Sequence, residues 1–279
     1  MPHIIIRILK PVFEIIPEAI FFNQTNLICE VSRDGFSYVF ENDQDKKFHG
    51  LSVFHFANDG DAAKQLKEIF KEQPLLHKNY KKIFVSYAGA ECALLPEELC
   101  TPKENELLLD TFLGDINEGH LATDFVNDKK IYNVYRIPVA VHQAIIEKFP
   151  SAVFKHQFSL IIKNGFPAGD LLKIIFYANT FVAVLVKSGE LQIINSYPYL
   201  SGADVVYLLL NICHQFKMTD VPLLIGGSIE IDSDLHNEIR HYFENISFDK
   251  MPAEYEYANG LKELSPHYFS HLFSLALCV

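Results

Sequence analysis

The chain has 279 residues, 49% of them hydrophobic and 21% charged, which suits two packed domains of ordinary size and excludes a disordered chain. A formal net charge of −11 opposes nonspecific binding to nucleic acid or to an anionic membrane. The five cysteines form no Cys-x-x-Cys pair, so they carry no zinc spacing and read as free thiols in a reducing compartment.

In chain order, Met1–Phe22 is apolar but broken by Pro11, Glu14, Pro17 and Glu18, without a clean signal-peptide core. No run is long enough to span a bilayer, so a soluble cytoplasmic protein without membrane insertion is expected. Asn26–Val31 follows as a strand, with Leu27, Cys29 and Val31 on one face. Arg33-Asp34-Gly35 signals a tight turn, in which glycine would tolerate positive φ. Gly35–Glu41 and Lys47–His55 complete a three-strand meander. A helix near Gly60–Glu72 comes next, capped by Asp59 or Asp61, with Ala62, Leu66, Ile69 and Phe70 as its apolar stripe.

Lys82–Tyr87 reads as a buried strand, and Leu94–Glu97 leads into a helical turn. Thr101 and Pro102 start a helix over Glu104–Phe112, which Gly114 stops. Leu121–Val126 and Ile131–Ile137 alternate as strands, and Val139–Phe149 is an amphipathic helix between Pro138 and Pro150. Phe154–Lys163 has helical spacing and ends at Asn164-Gly165, a C-cap signal.

Phe166–Asp170, with Pro167 and Gly169, reads as a hinge. It divides a first lobe, 1–165 with 1–25 as an extension, from a second lobe, 166–279. The second lobe opens with another meander: Leu171–Tyr177, Phe181–Lys187 and Glu190–Ser196. A helix over Gly202–Lys217 has Ser201 and Asp204 placed as a near capping box. Leu223–Ile225 is a short strand running into Gly226-Gly227-Ser228. Asp234–Phe243 is a helix, Ile246–Phe248 a strand, and Pro266–Leu277 a closing apolar helix.

The order βββαβαβα therefore occurs twice, although the halves share no evident residue identity. Together with Ile131–Pro138 (Ile-Tyr-Asn-Val-Tyr-Arg-Ile-Pro), Leu191–Tyr197 ending in Asn195-Ser196-Tyr197, Ala203-Asp204-Val205-Val206-Tyr207 and Leu224-Ile225-Gly226-Gly227, it carries a resemblance. The chain resembles a family of uncharacterised bacterial proteins, a domain of unknown function with an actin-like ATPase fold. More distantly it is similar to the actin-like protein of type IV pilus assembly. The likeness runs from about Asn26 to Cys278. It implies a two-lobed α/β fold of the actin-like and RNase H-like superfamily, with a mixed sheet in each lobe.

The resemblance also implies where a nucleotide would bind. An actin-like phosphate loop places Asp-x-Gly at the first hairpin of each lobe, where the acid would reach Mg²⁺ through water. Asp34 and Gly35 stand there in the first lobe, without that spacing. In the second lobe the matching turn, Tyr177-Ala178-Asn179-Thr180, has neither acid nor glycine, so Asn179 is its remaining polar candidate. Gly226, Gly227 and Ser228 fit the adenosine motif, a glycine pair between a strand and a helix. The bland reading of that pair is a tight connection that needs glycine for packing.

Other constellations are thinner. Glu30 with Asp34 could be a remnant metal site, and equally a polar hairpin. His267 and His271 lie four apart on the expected last helix, but the His-Glu-x-x-His glutamate is replaced by Tyr268. His236 and His241 do not share a helical face. Cys213 and His214 are neighbours that point apart, and no Gly-x-Ser-x-Gly or Walker motif is present.

The favoured expectation is a non-catalytic interaction or scaffold protein on a degenerate actin-like fold, with no cofactor, binding a protein partner or itself as a homodimer. Phe21-Phe22 and Phe269–Leu277 supply the apolar surplus for a core or for such a surface. The alternative is a divergent ATP-binding protein or ATPase using Mg-ATP. An RNase H-like nuclease is weaker, because its converging carboxylates cannot be assembled from strands nearly free of acid.

Overall fold

A computed structural model describes residues 10–17, 20–57, 60–89, 91–113 and 119–278. Asp59 as an alternative cap, Gly114 as a helix stop, Glu18 as a breaker and the first nine residues of the N-terminal extension lie outside the described residues. The chain forms two compact units. Unit 1 comprises residues up to Ser159 together with Glu256–Leu261, and unit 2 comprises Leu160–Tyr255 with the residues from Lys262 onward.

Unit 1 begins with β1 (Phe13–Ile15), then the meander β2 (Thr25–Ser32), β3 (Gly35–Asn42) and β4 (Lys47–His55), then α1 (Ala62–Glu72) and β5 (Ile83–Ala88). Next come β6 (Cys92–Pro96), α2 (Pro102–Leu113), β7 (Gly119–Val126) and β8 (Ile131–Pro138). The unit continues with α3 (Val139–Lys148) and β9 (Val153–His156), and α4 (Gln157–Lys163) carries the chain into unit 2. Unit 2 contains β10 (Leu171–Phe176), β11 (Thr180–Lys187), β12 (Glu190–Pro198), α5 (Gly202–Gln215), β13 (Leu223–Gly227), α6 (Asp234–Arg240) and β14 (Ile246–Phe248). The chain then adds β15 (Glu256–Tyr257) to unit 1 and passes through α7 (Asn259–Lys262) to α8 (Ser270–Ser274).

The main sheet of unit 1 has the order β1-β4-β3-β2-β5-β9, with β15 also on β4. The sheet of unit 2 has the order β12-β11-β10-β13-β14. The duplicated order thus becomes a duplicated topology: an antiparallel meander whose first strand is extended by two parallel strands. Within unit 1 an added three-stranded sheet, β6-β8-β7, lies in sequence between β5 and α3. The sequence shows β7 and β8 as alternating strands but gives no sign that they leave the main sheet.

Alternation explains each core. In unit 1, Leu27, Cys29, Val31, Phe36, Tyr38 and Phe40 point to one side of the meander and pack against Leu66, Ile69 and Phe70 of α1. Phe70 meets Phe36 edge-on at 5.4 Å and Phe149 at 5.5 Å. A fully buried side chain of this size contributes about 2 kcal/mol of apolar transfer free energy. Asp61 caps α1 by accepting from the N–H groups of Ala63 and Lys64. In unit 2, Leu172, Ile174, Phe176, Phe181, Ala183 and Leu185 pack against Val205, Leu209 and Ile212 of α5. Ser201 and Asp204 form the complete capping box on that helix.

Three local expectations change. Gly35 does not take positive φ; it pairs with His55, and a Cβ there would run into the Phe54 carbonyl. Phe154–Lys163 divides into strand β9 and helix α4, because Phe154 and its neighbours pair with β5; the Gly165 cap holds, with φ +77°. Leu94 and Leu95 belong to β6, paired with β8, and lead into the helical turn at Glu97–Leu99 as expected. Pro266–Leu277 is not one helix: residues before Ser270 are held in turns by bonds to other parts of unit 2, leaving only the short α8 and a 3-10 turn.

Candidate functional site

In unit 2 the glycine pair ends β13. Parallel pairing of β10 with β13 sets Ile175 beside Gly226 and Phe176 beside Gly227. The Tyr177–Thr180 turn therefore leaves the sheet at the same end as the glycines. Gly227 has φ +86°, and a Cβ on it would strike the Phe176 backbone. Its N–H donates to the His267 carbonyl at 2.8 Å, and the Ser228 N–H donates to the Phe176 carbonyl at 2.9 Å. Two donors that could face a phosphate are thus taken by the chain's own carbonyls. Gly226 makes room of another kind. A Cβ there would lie 3.3 Å from both Asp249 Cβ and Ser270 Oγ. In that space Asp249 pairs with Lys173 at 2.7 Å and accepts from Ser270 Oγ at 3.0 Å. Both glycines are buried and Ser228 is exposed.

The two hairpin turns differ in what they offer. Asp34 is half-buried; its N–H donates to Ser32 Oγ at 3.2 Å and its carbonyl accepts from Phe56 N–H at 2.8 Å. Asn179 is exposed and its carbonyl accepts from Tyr199 N–H at 3.1 Å, while the Tyr199 hydroxyl donates to the Tyr177 carbonyl at 3.2 Å. Asn179, Gly226, Gly227 and Ser228 share unit 2, whereas Asp34 and Gly35 belong to unit 1.

Glu30 lies within β2, only 4% exposed, and accepts from Gln157 Nε2 at 3.5 Å. Among the described residues no group of three or more His, Cys, Asp or Glu is placed to hold a metal ion. His267 and His271 do not share a helical face, since α8 starts between them at Ser270. The His267 ring bonds the Ile229 carbonyl through Nε2 at 2.9 Å. Burial holds His271 well below the ordinary histidine range, at about 4. His236 Nδ1 accepts the Asp232 N–H at 3.0 Å, while His241 is exposed at the end of α6. The five cysteines are free, and burial pushes the Cys92 thiol up to about 12.

A buried polar network in unit 1 has no counterpart in the sequence reading. Asp124 of β7, 3% exposed, accepts from His156 N–H at 2.7 Å, Lys155 Nζ at 3.2 Å and Tyr135 OH at 3.4 Å. His156 Nδ1 accepts the Phe158 N–H, so its Nε2 carries the proton and donates to the Gly89 carbonyl at 3.1 Å. Burial drives that imidazole down to about 3. The available signal was one acid inside an alternating apolar strand, Thr123-Asp124-Phe125. The Lys173–Asp249 pair was equally hidden, because its members are far apart in sequence.

A family described as protein of unknown function (DUF3822) matches residues 19–246. Among solved structures, a Bacteroides thetaiotaomicron protein with actin-like ATPase fold and unknown function superposes with a TM-score of 0.76 at 19% identity. The match covers 94% of this chain and 100% of that one. A chain of the PilM–PilN type IV pilus biogenesis complex gives a TM-score of 0.64 at 13% identity, covering 91% of this chain and 98% of its own. No curated protein matches in sequence. The fold is therefore that of the actin-like ATPases, and the chain belongs to the DUF3822 family of proteins of unknown function.

Proposed function

We propose that this family member is a non-catalytic interaction protein on an actin-like fold whose nucleotide machinery is incomplete. The observation that carries this reading is the bond from Gly227 N–H to the His267 carbonyl. With the Ser228 N–H on Phe176, the glycine turn satisfies itself rather than presenting donors to a ligand. The Tyr177–Thr180 turn adds no carboxylate for Mg²⁺. An architecture that also serves in the PilM–PilN assembly accommodates a binding role, with a protein partner or a second copy as the ligand. Five free thiols support a cytoplasmic setting. Among the described residues no helix is long and apolar enough to cross a membrane.

One observation favours divergent ATP binding: the Asn179 turn and the glycine pair share one end of the unit 2 sheet. In that reading Gly226, Gly227 and Ser228 take the adenosine, and Asn179 faces the phosphate. Thermal unfolding during a Mg-ATP titration separates the two. A ligand at about a hundred times its Kd stabilises a fold by roughly 2.7 kcal/mol. The interaction reading expects no shift up to millimolar Mg-ATP. A saturable, Mg²⁺-dependent rise would replace it with the second reading.

A further inference from the structure

The added sheet of unit 1 carries a cavity of about 240 Å³. It lies between α2 and the face of β7 and β8 turned away from Asp124. Five side chains line it: Cys100 just before α2, Asn105 early in α2, Leu121 and Thr123 of β7, and Tyr132 of β8. Alternation puts the strand residues there. Leu121, Thr123 and Phe125 share one face of β7, and Tyr132 stands directly opposite Phe125. Those two rings stack at 4.5 Å, which holds the Tyr132 ring in place.

The lining selects a chemistry. None of the five residues is charged, in a chain where 21% of residues are. A phosphate or carboxylate entering this space would lose water and gain no counter-charge. The volume is below the roughly 300–1,000 Å³ of pockets that hold drug-sized molecules, so it suits about one ring. Asn105 is only 4% exposed. Its Oδ1 accepts the Cys100 thiol at 3.3 Å, and among the described residues its Nδ2 meets no acceptor. A donor on so buried a side chain is normally paired. The amide group of Asn105 offers N–H donors beside a carbonyl with a second lone pair, and so matches a ligand edge with a carbonyl next to an N–H.

We propose that this cavity binds a neutral, planar, single-ring cyclic amide, read by the Asn105 amide beside the Tyr132 ring. The ligand carbonyl accepts from Asn105 Nδ2, and its adjacent N–H donates to Oδ1. Leu121 supplies an apolar wall, and Thr123, exposed on β7, supplies a hydroxyl at the open side. The site is independent of the glycine turn in unit 2 and adds a small-molecule ligand to the interaction reading.

Cys100 reports occupancy, because its half-buried thiol lines the same cavity. The full chain is alkylated with iodoacetamide in the presence and absence of uracil, and each cysteine is followed by peptide mass spectrometry. Uracil is the probe because it is uncharged, planar and carries N–H groups next to carbonyls. At about ten times its Kd, mass action leaves roughly one site in eleven open, so Cys100 labelling should slow about tenfold and saturate. Cys278, half-buried in unit 2, is the internal control and should label at an unchanged rate. Orotate, the same ring with a carboxylate, should leave Cys100 unprotected. Asn105→Leu keeps the bulk and removes the amide, and uracil should then have no effect on Cys100 within that variant. If it fails to fold, Thr123→Val, at an exposed position, decides by weakening the protection severalfold. The proposal is overturned if uracil gives no protection up to its solubility limit, if Cys278 slows equally, if orotate protects as well, or if protection survives the change at Asn105 or, should that variant not fold, is undiminished in Thr123→Val.

Discussion

Gly227 donates its N–H to the carbonyl of His267 at 2.8 Å, and that bond closes the glycine turn at the end of β13. His267 is itself held, its Nε2 on the Ile229 carbonyl. The two residues lock the end of β13 to the segment preceding α8. A substitution at Gly227 therefore tests folding before it tests any ligand.

Gly227→Ala should destabilise unit 2 by about 3 kcal/mol, since its φ of +86° suits glycine and a Cβ meets the Phe176 backbone. Urea unfolding followed by circular dichroism measures this. A loss below about 1 kcal/mol would show that the turn relaxes easily.

Asp124→Ala should cost about 2–3 kcal/mol, because it leaves the buried His156 N–H and Tyr135 hydroxyl without their acceptor, while the part-exposed Lys155 ammonium can turn to water. Asp124→Asn keeps acceptors and should cost less. The ordering of the two variants in urea midpoints is the check.

Stability should fall between pH 7 and pH 5. His156, at about 3, and His271, at about 4, stay neutral in the folded chain while the unfolded chain takes up protons below about 6.5. The unfolded state binds more protons in that window, so each histidine removes about 1.4 kcal/mol per pH unit as pH drops, until its folded value is reached. Their contribution is complete above about 6.5. Unfolding free energies at pH 7, 6 and 5 measure the slope, and a flat profile would mean that these imidazoles are reached by solvent.

Ser201→Ala removes one half of the capping box on α5 and should cost about 1 kcal/mol. The Asp204 carboxyl, held below the usual range by the Leu200 N–H and the Ser201 hydroxyl and N–H, keeps the other half. A shift in urea midpoint without a change in slope is the expected signature.

The sequence by itself determined the duplicated order of elements, the meander faces and the caps at Ser201 and Gly165, and narrowed the cap of α1 to Asp59 or Asp61. Those features are local: a period of two, a side chain three residues from an N–H, a glycine after a helix. It also marked Gly226 and Gly227 as unusual. Only the tertiary structure decided what the glycines do, because the answer lies in Phe176, Asp249 and His267, which are distant along the chain. The same holds for the added sheet β6-β8-β7, for β1 and β15 on β4, and for the Asp124 network. Short strands and buried ion pairs are stabilised by partners that closure of long loops brings together, and a local pattern carries no record of which segments will meet.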